Sequence, residues 1–314
     1  MDLWAIRMVD LTLVEPAKKS SRDRFFARYQ NVVDKYGFNL AAYAGVERFI
    51  RFLYKKWFSV QIAGMENIPA KGSAVLFGNH SGGLPLDGCL LYDGIINEHP
   101  NPSRVRFLVS KFLLNTPVVG KFLRGFGCIP PDFEMAVEML RNKELVLIFP
   151  EGEKGTGKLF KNRYKLVDFH SGFVRAAIAT GSPLIPVVTI GGEEIYPIFA
   201  NVKPLAKLLK MPYFPLTPFF PWLPPPFCAI PFPSKIMMCI WPSFELKYPP
   251  EVAEDEELVQ AIANDVRADI QAKVKDLLEI RTSPFKRWNM HLVNSYLRNT
   301  KSYSPQMEKH LHQA

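Results

Sequence analysis

Two observations predict an α/β fold with a largely parallel central sheet flanked by helices. Short β-rich runs alternate with helical patterns between about residues 58 and 190. That alternation requires crossover connections, which place parallel strands side by side and chemistry at their ends. With 314 residues, 48% of them apolar, the chain can also supply a substantial core.

In chain order, residues 21–58 read as two amphipathic helices. The second carries Tyr43, Val46, Phe49, Ile50, Leu53, Tyr54 and Trp57 at helical spacing, with Arg48, Arg51, Lys55 and Lys56 between them. This profile suits a helix lying in a membrane interface, and equally a helix packed on the domain with a solvated basic face. Strands are expected at Ser59–Ile62, Ala74–Phe77, Val105–Ser110, Leu145–Phe149 and Leu184–Ile190, and helices near 87–97, 134–142 and 168–180.

Residues 211–234 contain no charged side chain, long enough by itself for a membrane span, but their nine prolines preclude an uninterrupted helix. Rich in aromatics, and preceded by Lys203, Lys207 and Lys210, the segment reads as a Pro/aromatic-rich insertion dipping into a membrane interface. The alternative is a loop wrapping the protein's own core. Residues 235–246 return to the sheet, 254–279 form an amphipathic helix, and the last thirty or so are helix and tail with His310 and His312 solvated.

A formal charge of +9 favours an anionic partner. No helix-turn-helix, RNP or zinc-finger pattern accompanies it, so an acidic membrane surface is expected and nucleic acid is not. Cys89, Cys128, Cys228 and Cys239 lack metal-ligand or paired spacing and read as core thiols of a reducing compartment. The N-terminus reaches Arg7 too soon for a signal peptide, which implies cytoplasmic synthesis.

The chemistry concentrates in two loops. After the apolar run Ala74–Phe77 come Asn79, His80 and, within a glycine- and proline-rich loop, Asp87. A histidine oriented by a carboxylate suits proton removal from a hydroxyl. After Leu145–Ile148 comes Phe149-Pro150-Glu151-Gly152-Glu153-Lys154-Gly155-Thr156-Gly157-Lys158. Gly152, Gly157 and Lys158 satisfy most of a phosphate-binding P-loop, yet Leu159 stands where that loop needs a hydroxyl for magnesium. Read otherwise, the segment sets the Glu151 carboxylate on a constrained turn before Lys154, Lys158, Lys161, Arg163 and Lys165, suited to a polar alcohol.

The order of Asn79-His80…Asp87, Gly127-Cys128-Ile129-Pro130, Phe149-Pro150-Glu151-Gly152 and Pro183-Leu184-Ile185-Pro186-Val187 resembles the four blocks of the glycerolipid (lysophospholipid) acyltransferases, over residues 70–195. By that resemblance His80 is the general base on the acceptor hydroxyl and Asp87 supports it. Glu151 and Gly152 bind the acceptor, with Lys154, Lys158 and Arg163 beside them. Two departures stand out. Six residues separate His80 from Asp87 where the family usually has four, so the loop must bulge, with Asp93 the weaker substitute. Phe133 also occupies the place of the second block's phosphate-binding Arg. Both look closer to the monoacylglycerol- and diacylglycerol-acyltransferase-like branch.

The resemblance implies a membrane-associated O-acyltransferase that takes acyl groups from acyl-CoA or acyl carrier protein, with no metal or tightly bound cofactor. A lysolipid or other lipid alcohol accepts them at the cytoplasmic face of a membrane, where the protein is peripheral or monotopic. Residues 1–58 are then the membrane-associating helical region. Residues 59–246 are the catalytic domain, including the 211–234 flap, and 247–314 the C-terminal helix and tail. Oxyanion donors are expected from backbone N–H groups around Ser81-Gly82-Gly83 or near Gly152. A thioesterase or hydrolase using the same His/Asp pair, and a non-catalytic lipid-binding protein, are the rivals.

Overall fold

The computed structural model describes residues 19–80, 82, 84 and 86–311. The readings made of the first residues, of Ser81 and Gly83, and of His312 lie outside these. A seven-stranded sheet forms the centre, in the order β1-β9-β6-β2-β5-β3-β4. Its strands are β1 (Gln61–Ala63), β2 (Ala74–Gly78), β3 (Val105–Leu108), β4 (Cys128–Ile129), β5 (Leu145–Ile148), β6 (Leu184–Ile190) and β9 (Met237–Ile240). Strands β7 (Ala200–Asn201) and β8 (Pro215–Leu216) form a separate pair. From β6 to β4 the central strands run parallel, while β9 is antiparallel to β6 and carries β1 with it. The expected α/β fold is therefore the observed one, and all five expected strands are present.

Strands β2 and β6 are buried along their whole length, as befits strands covered by helices on both faces. On one side the helix Glu256–Ile280 lays down Val259, Ile262, Val266, Ile270 and Val274, capped by Asp255, whose side chain accepts from the Leu258 N–H. The helix Gly172–Thr180 packs beside it and begins later than expected, because Asp168–His170 lie outside any helix, with the His170 N–H donating to the Pro150 carbonyl.

The N-terminal helices Ser21–Tyr29, Leu40–Ala44 and Glu47–Phe52, the last running into a π turn at Leu53–Trp57, lie against the helix Leu86–Glu98. The Tyr43 hydroxyl and Arg51 both donate to Asp93, and the Tyr54 hydroxyl donates to Glu98. One face of the expected amphipathic helix is thus core. Phe49 and Phe52 remain exposed beside Arg48, Lys55 and Lys56. His310, expected to be solvated, is instead buried between the Tyr248 hydroxyl and Asp265 and pins the C-terminal helix Pro305–Leu311. Among the described residues no helix is long and apolar enough to cross a membrane.

Candidate active site

Because β6, β2 and β5 are adjacent and parallel, their C-terminal ends meet, and each delivers part of the site. Gly78 closes β2: a Cβ there would lie 1.7 Å from the Val187 carbonyl oxygen, so only glycine permits this approach of β2 to β6. Asn79 extends the pairing past the strand. Its side-chain amide donates to the Thr189 carbonyl and its oxygen accepts from the Thr189 N–H, both at 2.8 Å. His80 therefore leaves the sheet at a fixed point.

The imidazole is held on two sides. Its Nδ1 lies 2.7 Å from Oδ2 of Asp87, in the first turn of the helix Leu86–Glu98, and its plane stacks on Phe149 with ring centroids 4.1 Å apart at 6°. Among the described residues, Nε2 has no hydrogen-bond partner. The six-residue spacing accordingly still brings the carboxylate to the ring. Asp93 does not meet His80; it is fully buried against Tyr43 and Arg51.

Glu151 sits directly behind His80. It has no exposed surface, and its carboxylate accepts from the His80 N–H (3.0 Å), Lys158 Nζ (2.9 Å) and the Val167 N–H (3.0 Å). Lys158 also donates to Glu193 (3.1 Å), whose other oxygen accepts from the Tyr164 N–H (3.0 Å). Burial pushes the Glu193 carboxyl up to about 7; Lys158 opposes the rise and Glu151 adds to it. The neighbouring Glu194 is drawn below its ordinary value, because Arg281, Ser234 and Tyr164 donate to it and outweigh the opposing effect of burial.

A cavity of about 980 Å³ opens in front of the histidine. Its wall is mainly apolar, with Phe107, Leu123, Phe126, Phe133 and Phe173 among its side chains, and Gly152, Lys154 and His170 border it. Gly152 has φ +55°, a left-handed turn that starts the short helix Gly152–Thr156 directly after the Glu151 position. Of the residues expected at the acceptor, Gly152 and Lys154 thus reach the cavity. Glu151 and Lys158 do not line it, so direct contact of these two with an acceptor is not what this geometry offers. Arg163 is exposed elsewhere, over the Phe160 ring. The P-loop reading fails on the same ground, since Lys158 is committed to Glu151 and Glu193.

Sequence reasoning gave Glu193 no place in the site, although the Gly191-Gly192-Glu193-Glu194 run after an apolar strand marked it, and missed the Phe149 ring as a partner of His80. At the place of the family's phosphate-binding Arg, the Phe133 ring is covered at 4.4 Å by Arg175, which is itself held by Glu254 and the Ala253 carbonyl. Cys89 and Cys228, read as core thiols, border the cavity. Among the described residues, no three His, Cys, Asp or Glu side chains gather to hold a metal ion.

A family model described as Acyltransferase matches residues 59–190, the stretch that carries β1, β2 and the strand ends just described. An uncharacterized protein of Mycobacterium leprae (strain TN) is 39% identical over 256 residues, covering 81% of this chain and 70% of that protein. The chain belongs to the acyltransferase family. This acyltransferase is also 25% identical over 213 residues to a Homo sapiens protein named as a DGAT1/2-independent enzyme synthesizing storage lipids, covering 68% of this chain and 61% of that one. The crystal structure of the 1-acyl-sn-glycerophosphate (LPA) acyltransferase PlsC from Thermotoga maritima superposes with a TM-score of 0.49 at 19% identity, covering 82% of this acyltransferase and 88% of that chain.

Proposed function

We propose that this acyltransferase moves a fatty acyl group from acyl-CoA or acyl carrier protein to a hydroxyl of a glycerolipid or related lipid alcohol. The observation that carries the reading is the His80–Asp87 pair facing an apolar cavity of about 980 Å³. Asp87 accepts from Nδ1–H, which leaves Nε2 as the basic nitrogen. As the acceptor oxygen attacks the thioester carbonyl, its proton passes to Nε2; the carbon–sulfur bond then breaks and the proton leaves with the thiol. Phe149 fixes the ring plane, and the Glu151–Lys158–Glu193 cluster holds the loop that presents His80. Gly152 and Lys154 are the candidates to meet the acceptor's polar end, with Arg163 on the surface outside the cavity.

The lipid-facing side is read from exposure. Trp222, Leu223, Phe227 and Ile230 of the flap are exposed, and Phe49 and Phe52 stand beside Arg48, Lys55 and Lys56. The two elements meet where Trp57 Nε1 donates to the Pro231 carbonyl. This combination of apolar and cationic surface suits peripheral attachment to an anionic leaflet at the cytoplasmic face.

Purified protein given an acyl thioester, with and without monoacylglycerol, diacylglycerol or a lysophospholipid, tests the reading. Acyl lipid should form only with acceptor present, and His80→Ala should abolish it. Thioester consumption independent of acceptor would replace transfer by hydrolysis, and full turnover by His80→Ala would end the proposal.

A further inference from the structure

From Ile195 to Phe244 the chain has no Asp or Glu, and its charged residues there are Lys203, Lys207, Lys210 and Lys235. Three of those lysines sit on one small hairpin. Strands β7 and β8 pair antiparallel with the helix Lys203–Leu208 between them, and the unit is closed by Val202 N–H donating to Phe214 O and Met211 N–H to Ala206 O, both at 2.9 Å.

The two faces of this hairpin differ in chemistry. Inward, Ile198, Met211, Tyr213 and Pro215 wall the cavity, and Ala206 is buried. Outward, Leu208 is 75%, Phe199 61% and Leu209 50% exposed. Lys203, Lys207 and Lys210 are exposed beside them, and among the described residues none of the three has a carboxylate partner. A hairpin adapted to water alone gains nothing from adjacent exposed leucines, and unpaired cations without a single acid leave a positive field. Lipid resolves both: the leucines enter the acyl boundary while the lysine stems carry their charges to anionic headgroups.

We propose that this hairpin seats the enzyme on an anionic bilayer, with Leu208 and Leu209 in the lipid and Lys203, Lys207 and Lys210 on the headgroups. The inference rests on the lipid-acyltransferase reading above, since the hairpin's other face walls the cavity which that reading assigns to lipid. Seating then brings that wall to the membrane surface.

The test uses the full chain and sedimentation with phosphatidylcholine vesicles, with or without phosphatidylglycerol, at low and high salt. Leu208→Ser combined with Leu209→Ser should lower partitioning into both vesicle types by about tenfold or more. Changing Lys203, Lys207 and Lys210 to Gln should remove only the phosphatidylglycerol-dependent part, roughly a hundredfold at low salt and little at high salt. Both variants should keep the wild-type unfolding midpoint, because the replaced side chains are exposed, and should keep turnover on acceptor dispersed as monomers. Wild-type partitioning by both variants would overturn the proposal. So would a leucine variant that binds vesicles normally but turns a wild-type dimer into a monomer, since the leucines would then cover a second copy. If the vesicle results hold while the wild type acylates no lipid alcohol, the proposed function fails and the seating role stands.

Discussion

His80 Nδ1 lies 2.7 Å from Asp87 Oδ2 across a loop two residues longer than the family's usual spacing. The contact survives because Asp87 is in the first turn of a helix anchored in the core through Leu90, Leu91, Tyr92, Ile95 and Ile96, so the helix sets the position of the carboxylate.

That geometry makes Asp87→Asn an informative change. The amide can donate where the carboxylate accepted, favouring the wrong tautomer, and kcat should fall roughly 10²- to 10⁴-fold. KM should change little. Steady-state acyl transfer by the purified variant checks this, and a KM effect without loss of kcat would move Asp87 out of the proton path.

Glu151→Gln separates a loop-holding role from a substrate-binding one. The buried carboxylate receives three donors, and an amide would turn its own N–H toward at least one of them while leaving Lys158 less compensated. Stability should drop by about 3 kcal/mol, as when one partner of a buried pair is removed. Denaturant unfolding measures it. Undiminished stability with a raised acceptor KM would instead place Glu151 at the substrate.

Glu193 gives the fold a pH dependence whose sign follows from its raised value. Its carboxyl resists ionisation in the folded chain up to about 7, whereas the unfolded chain ionises near the ordinary 4.5. Its contribution to stability is therefore whole below 4.5 and lost as pH climbs through 7, a difference on the order of 3 kcal/mol. Glu193→Gln should flatten this part of the profile. Unfolding midpoints of the two proteins from acid to pH 8 decide it, and parallel curves would refute it.

The flap aromatics should divide into two classes. Phe219 stacks on Phe232 and Phe220 packs at a tilt against Phe214, each pair at 5.1 Å, whereas Trp222 and Phe227 are exposed. Ser at Phe219 and Phe220 should cost a few kcal/mol, about 2–4, in unfolding free energy. Ser at Trp222 and Phe227 should leave the melting temperature in place and lower vesicle sedimentation. Equal destabilisation by both pairs would make the whole flap core.

The α/β alternation, the strand positions and the His80, Asp87 and Glu151 motifs are legible along the chain, because each is a local pattern: a period, a run of apolar residues, or a short loop between them. Strand β6 was readable to its ends, since seven buried residues bounded by turn formers leave little choice. What those residues touch emerges once the sheet is assembled. Lys158 reads as a P-loop lysine within its own segment, and its meaning changes because Glu193, 35 residues later, arrives at the end of the strand next but one. The buried His310 is settled by Asp265, 45 residues earlier, on another helix. The outward leucines of the β7–β8 hairpin were likewise invisible, since composition records that they are apolar but not which face they occupy. Long-range pairing fixes charge state, burial and exposure, and no local pattern encodes which distant partner the folding of the sheet will supply.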